Sequence, residues 1–415
     1  MLSKIFYLYD QNMSLGNSHK SKIIQQLFGH NKMPVSVLSK NIHKSIPYTT
    51  TLISELIEDE ILEECGLAES KGGRRPQLYS IKKDVFYIVA VALNQIKTTF
   101  AIFDLNGDQV FKPKTRNIVL SRTGEDLVQL GAFIKECIEK SGIDHGKILG
   151  IGIGMPGFVN VKKGQNHSFL KCEGRSLVDY LRENTGLPVF IDNDSSLIAL
   201  AELRQGLARN LENALVINIG WGVGLGIIID HEVFRGENGY AGEFSHIPLF
   251  DNRKVCSCGK LGCLETECSL SVLIEKAREG MANKPYSILP ESLPEDKTEA
   301  IETIFNAIQQ GDSYAINLLN YLGHNLGRGI SILIHLFNPG VILLSGPGSI
   351  PGKYWWAPVQ QAINEYSIGK LAENTEVRIS KLGALAELVG AATLVVEKLQ
   401  EIIPEEHLNR IDRII

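Results

Sequence analysis

Two stretches of this chain follow one plan. FYIVAVALNQIKTTFAIFDLNGDQVF, Phe86 to Phe111, and ALVINIGWGVGLGIIIDHEVFRG, Ala214 to Gly236, each run as apolar strand, turn, apolar strand, polar turn and third strand. The second strand ends at Asp104 or Asp230, and the third contains Phe111 or Phe234. A repeated unit of this kind predicts two related α/β lobes with a ligand cleft between them, and argues against one doubly wound sheet. Helical patterns follow at Glu125 to Ser141, Ser176 to Thr185, Ser195 to Leu207, Leu270 to Ala282, Ile301 to Phe337 and Ala384 to Ile402. The chain of 415 residues then divides into an N-terminal module over 1–84, a first lobe over 85–205 completed by 382–415, and a second lobe over 206–381.

Composition excludes several classes. A hydrophobic fraction of 44% and a charged fraction of 21% fit a globular protein, so disorder and fibrous structure are set aside. No apolar run approaches the roughly 20 residues of a membrane span, and MLSKIFYLYDQN is broken at Asp10 without a cleavage pattern. A cytoplasmic location without a membrane partner is expected. The scattered Cys65, Cys137, Cys172 and Cys268 suit free thiols in a reducing compartment better than a disulfide framework. Charge is uneven: residues 1–84 carry eleven Lys/Arg against nine Asp/Glu, while the whole chain has a net charge of -5.

Within the first 84 residues the spacing predicts three short helices and a hairpin. SHKSKIIQQLF forms the first helix, MPVSVLSKNIHKS the second, and SIPYTTTLISELIEDEIL the third, capped by Ser45 with Pro47 near its first turn. Leu52, Ile53, Leu56 and Ile57 are expected inside that helix, with Tyr48, Thr49, Thr50 and Ser54 outside. ILEECGLAESKGGRRPQLYSIKK then reads as strand, glycine-rich tip, strand. This is the pattern of a winged helix-turn-helix; a helical dimerisation or capping module is the alternative. Lys71, Arg74 and Arg75 on the tip favour DNA, since cations on a flexible loop reach phosphates or a narrow minor groove.

HIPLFDNRKVCSCGKLGCLE, His246 to Glu265, raises a different chemistry. His246, Cys256, Cys258 and Cys263 make up one nitrogen and three sulfurs, the donor set of a structural zinc site. The alternative is three reduced cysteines in a loop. Four protein ligands leave no position for water, so Zn2+ would scaffold the loop and supply no Lewis acid.

AGEFSHIPLFDNRKVCSCGKLGCLE resembles the signature of the ROK family (repressors, open reading frames and sugar kinases), and the module ending in GGRRP resembles its repressor branch, which includes N-acetylglucosamine and xylose repressors. The likeness runs from about Ser18 to about Val396. It implies an α/β fold of two actin-like, hexokinase-like (ribonuclease H-like) lobes behind the winged helix-turn-helix. It also implies zinc on the histidine and three cysteines, and a sugar held by Asn193, Asp194, Glu243, His246 and Glu265. In the family's kinases the residue matching Asp194 is the general base; a helix cap is its plainer role here. Ser196 stands where the family often has asparagine, and GIGMPGFV resembles the strand end beside the sugar.

The family's kinases carry a phosphate loop like Asp-x-Gly-Gly-Thr, where this chain reads Ala92-Leu93-Asn94-Gln95-Ile96. The second loop, Gly220-Trp221-Gly222-Val223-Gly224, keeps its glycines but has Trp221 in place of the usual threonine, and Ser345-Gly346-Pro347-Gly348 keeps part of an adenosine loop. The resemblance therefore implies a sugar-responsive repressor without catalysis. Its expected partners are a palindromic double-stranded DNA operator and a sugar or sugar-phosphate effector, bound by a homodimer or homotetramer. A sugar kinase with an appended DNA-binding domain is the rival, and a repressor controlled by a protein partner is the third reading.

Overall fold

The helical start of the chain is built around one apolar seam. The computed structural model describes residues 14–402 apart from 31, 70–74, 122–123, 173 and 281–285. Helix α1 (Ser14–Leu27), strand β1 (Met33–Pro34), helices α2 (Val35–Asn41) and α3 (Ile46–Glu58), and strands β2 (Leu62–Leu67) and β3 (Gln77–Ile81) form the N-terminal module. Its antiparallel sheet has the order β1-β3-β2. Ile23, Leu27, Leu38, Leu52, Ile53 and Leu56 are buried. The Ser45 hydroxyl accepts the Tyr48 N–H at 3.4 Å, and Pro47 lies in the first turn, so α3 begins where its cap dictates. Two expectations fail on this helix. Thr49 is 0% exposed, because it lies three, four and seven residues from Leu52, Ile53 and Leu56 on the core face, and its hydroxyl donates to the Ser45 carbonyl at 2.9 Å. Ile57 is only half-buried.

The rest of the chain forms two sheets of the same topology. The first lobe has β4 (Tyr87–Leu93), β5 (Thr98–Asp104), β6 (Gln109–Arg116), α4 (Glu125–Ser141), β7 (Ile148–Met155), β8 (Val159–Asn160), β9 (Gln165–Asn166), α5 (Leu177–Thr185) and β10 (Val189–Asn193). The second has α6 (Asp194–Gln205), β11 (Ala214–Ile219), β12 (Val223–Ile229), β13 (Glu232–Phe234), α7 (Glu265–Cys268), α8 (Leu270–Gly280), α9 (Lys297–Gln309), α10 (Ser313–Phe337), β14 (Val341–Ser345), α11 (Trp356–Tyr366), α12 (Gly369–Ala372) and β15 (Glu376–Ile379). Helix α13 (Ala386–Glu397) ends the described fold. The first sheet runs β6-β5-β4-β7-β10 and the second β13-β12-β11-β14-β15. In both, three antiparallel neighbours are followed by two parallel ones. The duplicated apolar pattern is thus a duplicated sheet.

Two compact units result, one comprising residues up to Asn193 and from Leu388 onward, the other Asp194–Glu387. The division differs from a boundary after residue 205 because α6 packs on the second sheet. Asn218 Nδ2 donates to Ser195 Oγ at 3.1 Å, and buried Ser345 Oγ to Glu202 Oε1 at 2.7 Å. Helix α13 packs on the first sheet so closely that a Cβ on Gly152 of β7 would lie 1.9 Å from the Ala391 carbonyl oxygen. The single helical pattern over 301–337 is two helices. Gly311 takes a positive φ of 84°, and the Asp312 carboxylate then caps α10 by accepting the Ala315 N–H at 2.8 Å. Among the described residues no helix is long and apolar enough to cross a membrane.

Candidate functional site

The cysteine loop folds as the spacing requires. A short 3-10 turn, Phe244–His246, presents the histidine. Isolated bridges Pro248–Cys263 and Val255–Leu261 close the loop on itself, and the turn at Cys256 is fixed by Cys256 N–H to Lys260 O and Gly259 N–H to Cys256 O, both at 2.8 Å. The donor atoms of His246, Cys256, Cys258 and Cys263 then all lie within 4.8 Å of one another. His246 Nδ1 is 3.4 Å from Cys256 Sγ, and Cys258 Sγ is 3.7 Å from Cys263 Sγ. Burial and the neighbouring sulfurs push the Cys263 thiol up to about 12, so it keeps its proton unless a cation takes the proton's place. The donor set and its span fit a metal ion.

The carboxylates around that loop have different partners. Glu243 Oε2 lies 3.5 Å from His246 Nε2, the ring nitrogen facing away from the sulfurs, an outer-shell arrangement that fixes a ligating imidazole. Burial raises the Glu243 pKa, opposed by His246 and helped by Glu265. Glu265, the first residue of α7, accepts Ser257 Oγ at 3.0 Å on Oε1 and the Val223 N–H at 3.4 Å on Oε2. It therefore joins the cysteine loop to the turn before β12. Asp194 opens α6; its Oδ1 accepts the Ser195 N–H at 2.7 Å and the Ser195 hydroxyl at 3.0 Å. Those bonds stay with the adjacent residue and engage Oδ1 only. The protein packed around Asp194 raises its pKa to about 6, against the Ser195 bonds and with help from Glu243 and Glu265. Asn193 ends β10 in the other unit, where its Nδ2 donates to the Gly157 carbonyl at 3.3 Å, tying it to the GIGMPGFV strand end.

Sequence reasoning passes over Glu267. It is buried, lies 3.2 Å from Lys254 Nζ, and accepts hydrogen bonds from Asn252 and Tyr321. Asn252 and Lys254 belong to the cysteine loop and Tyr321 to α10, so Glu267 anchors the loop to the lobe. A glutamate two positions past Glu265, on the same apolar flank as buried Cys268, was the available signal.

The profile described as ROK family matches residues 88–398, well over half of the chain. The chain belongs to the ROK family. The xylose repressor of Caldicellulosiruptor bescii is 28% identical over 390 residues, covering 92% of this chain and 96% of that protein. A glucokinase of Halalkalibacterium halodurans is 32% identical over 269 residues, covering 63% of this chain and 82% of its own. Among solved structures, a ROK family transcriptional regulator described as a homolog of the Escherichia coli MLC protein superposes with a TM-score of 0.72 at 26% identity, covering 92% of this chain and 97% of that one. The two sheets are the actin-like, hexokinase-like fold of the ROK domain.

The turns of this ROK domain differ from one another. After β4, Asn94 Oδ1 accepts the N–H groups of Ile96 and Lys97, both at 2.9 Å, so the amides of the loop are occupied by its own side chain. After β11, the Gly220 carbonyl accepts the Leu270 N–H at 2.9 Å and the Trp221 carbonyl accepts Ser271 Oγ at 2.8 Å, while the Trp221 ring packs on the second core.

In the N-terminal module, α3 exposes Pro47, Tyr48, Thr50, Thr51, Ser54 and Glu58. Thr51 belongs to this face and was missed, although it sits four residues from Pro47 and three from Ser54. The Tyr48 hydroxyl is 3.2 Å from Nδ1 of buried His19. Arg75 is exposed, and its Nε donates to the Ala68 carbonyl at 2.8 Å; Lys71 and Arg74 lie outside the described residues.

Proposed function

We propose that this ROK protein is a sugar-responsive transcriptional repressor of carbohydrate uptake or catabolism genes. The observation that carries the reading is the N-terminal module, in a chain that a xylose repressor matches over 92% of its length and a glucokinase over only 63%. The shorter span is what a relative without that module would give. Residues 1–84 act as a winged helix-turn-helix, with α2 and α3 as the two crossing helices and β2 and β3 as the wing. Tyr48, Thr50, Thr51 and Ser54 read base edges in the major groove, and Lys71, Arg74 and Arg75 contact the backbone or adjoining minor groove. Two such modules in a homodimer or homotetramer bind a palindromic operator in the cytoplasm.

The effector is a sugar, held by Asn193, Asp194, Glu243, His246 and Glu265. Carboxylates accept its hydroxyl protons, the Asn193 amide both donates and accepts, and Asp194 keeps Oδ2 for this task while Oδ1 starts the helix. His246, Cys256, Cys258 and Cys263 hold Zn2+, which supplies a rigid cross-link. That cross-link fixes the His246 ring and, through Ser257 and Glu265, the carboxylate next to it. A working repressor needs a coupling of about 1–3 kcal/mol between sugar and DNA, supplied by unequal sugar affinity for two arrangements of the protein.

Catalysis is absent from this reading because the first phosphate loop is already filled. Backbone N–H groups that would cradle a phosphate are bonded to Asn94 instead. The test is fluorescence anisotropy on DNA from upstream of the protein's own gene, titrated with sugars and sugar phosphates. Salt-dependent binding released by one sugar is expected. Binding that no sugar alters would replace the sugar with a protein partner as effector, and ADP release from Mg-ATP with a hexose would replace the repressor with a kinase.

A further inference from the structure

We propose that a groove in the first unit binds a phosphomonoester, and that its occupancy is passed to the N-terminal module through Gln25. The groove is a cavity of about 320 Å³ where the β8–β9 hairpin, α5, edge strand β10 and α13 meet. Four of its lining residues are cations, Lys162, Lys163, Arg182 and Lys398, against two acids, Asp179 and Glu401. Both acids are engaged: Asp179 accepts Ser176 Oγ at 2.6 Å and lies 4.0 Å from Arg182, and Glu401 pairs with Lys398 at 2.5 Å. Lys162 and Lys163 are exposed and form no ion pair with a described residue. Val161, Val178 and Leu394 add apolar side chains to the lining.

These features select a ligand class. A phosphomonoester carries close to two negative charges near neutral pH, matching two unpaired lysines beside an arginine fork. The apolar side chains in the lining suit a small carbon body on the ester. The volume is at the lower end of small-molecule pockets, which suits a body of six or so carbons and excludes a macromolecule from the interior.

The same groove touches the support of the N-terminal module. Gln25 of α1 donates from Nε2 to the carbonyls of Val396 and Glu397, at 3.1 and 3.2 Å, in the last turn of α13. The Val396 carbonyl also accepts the Leu399 N–H at 3.3 Å, so Gln25 grips the turn that ends the helix. The next residue is Lys398, whose side chain lines the groove. An anion that competes with Glu401 for Lys398 draws on the turn that Gln25 grips.

The binding claim does not depend on the repressor reading; only the consequence for DNA does. Calorimetry on the full chain compares phenyl phosphate, inorganic phosphate and phenol. Phenyl phosphate is expected to bind best, and a Lys162→Ala/Lys163→Ala variant to bind it at least about tenfold more weakly, since two charge-assisted bonds are lost from exposed positions that do not support the fold. Unchanged affinity in that variant, or phenol binding as well as its phosphate, would overturn the site. Hydrogen exchange then reads residues 19–28 with saturating phenyl phosphate. Slower exchange there, abolished by Gln25→Ala while calorimetric binding persists, is the expected result. Exchange in α1 that does not respond in the wild-type protein would overturn the coupling.

Discussion

The turn over Asn94–Lys97 and the turn over Gly220–Gly222 occupy the same place in two sheets of one topology, yet they are completed by different partners. The first is satisfied from within: the Asn94 N–H reaches the Lys97 carbonyl at 3.1 Å, and Asn94 Oδ1 returns to the amides of Ile96 and Lys97. The second closes one bond of its own, from the Gly220 N–H to the Gly222 carbonyl at 2.9 Å, and adds bonds from outside, from Leu270, Ser271 and, at Val223, the Glu265 carboxylate. A turn that closes its own hydrogen bonds is indifferent to the rest of its lobe. A turn that borrows them from Glu265 follows whatever moves Glu265. Because Glu265 also accepts Ser257 Oγ from between two cysteines, the second turn is wired to the cysteine loop.

Breaking the metal loop is the strongest way to expose that difference. Cys258→Ser removes one of four donors, and bound zinc, measured by mass spectrometry, should fall from about one equivalent to well under a tenth, because metal binding of this kind is part of the folding free energy. Sugar affinity should fall with it, and hydrogen exchange should rise at Gly220–Val223 but not at Asn94–Lys97. Equal change at both turns would erase the comparison. A smaller break is Gly222→Ala. Its Cβ would lie 2.5 Å from Glu265 Oε2, the free end of a flexible side chain that can swing aside, so the cost in denaturant unfolding should stay below about 1 kcal/mol while sugar binding weakens. Preserved sugar affinity in that variant would remove Glu265 from the sugar site.

Proton uptake sharpens the same contrast within the second unit. Asp194 titrates near 6, above the ordinary 3.8, chiefly because its carboxylate is desolvated. Its folded pKa is raised, so its contribution to stability is full below 3.8 and is lost as pH rises through about 6. Sugar binding should run the other way, since the acceptor must be ionised: affinity should halve near pH 6 and fall about tenfold at pH 5. Asp194→Asn should flatten this part of both profiles. A tenfold loss that persists in the Asn variant would assign the titration elsewhere.

Much of this was written in residue order, and what was not depended on packing. The two strand meanders were legible because buried strands need apolar runs and their turns need Gly, Asn or Asp. The cysteine loop was legible because C-x-C-x4-C around Gly259 and Gly262 lets one tight turn gather its thiols, and the donor atoms of the three cysteines and His246 do lie within 4.8 Å of one another. Thr49 was misplaced although its spacing to Leu52, Ile53 and Leu56 marks the buried face; a threonine's polarity outweighed its position, and its hydroxyl is satisfied by the preceding turn. The assignment of α6 to the second lobe was not legible, since it follows from bonds to Asn218 and Ser345 that no local pattern announces. Glu267 was hidden for the same reason.

The smallest expected effect on sugar affinity isolates the first turn. Asn94→Ala removes the acceptor of two partly exposed amides, which water can take over, so the cost should be about 1 kcal/mol in denaturant unfolding. Zinc content and sugar affinity should be unchanged, because the bonds that Asn94 makes here stay within its own turn. The informative readout is phosphate chemistry. If Asn94 merely fills the place of a phosphate, removing it uncovers the amides but restores neither the carboxylate that would place a metal ion nor the glycines that would let phosphate approach. ADP release from Mg-ATP with sugar should therefore stay at the level of the buffer blank. Release above that blank would mean that one side chain separates this repressor fold from kinase chemistry, and that the two turns differ by a plug rather than by construction.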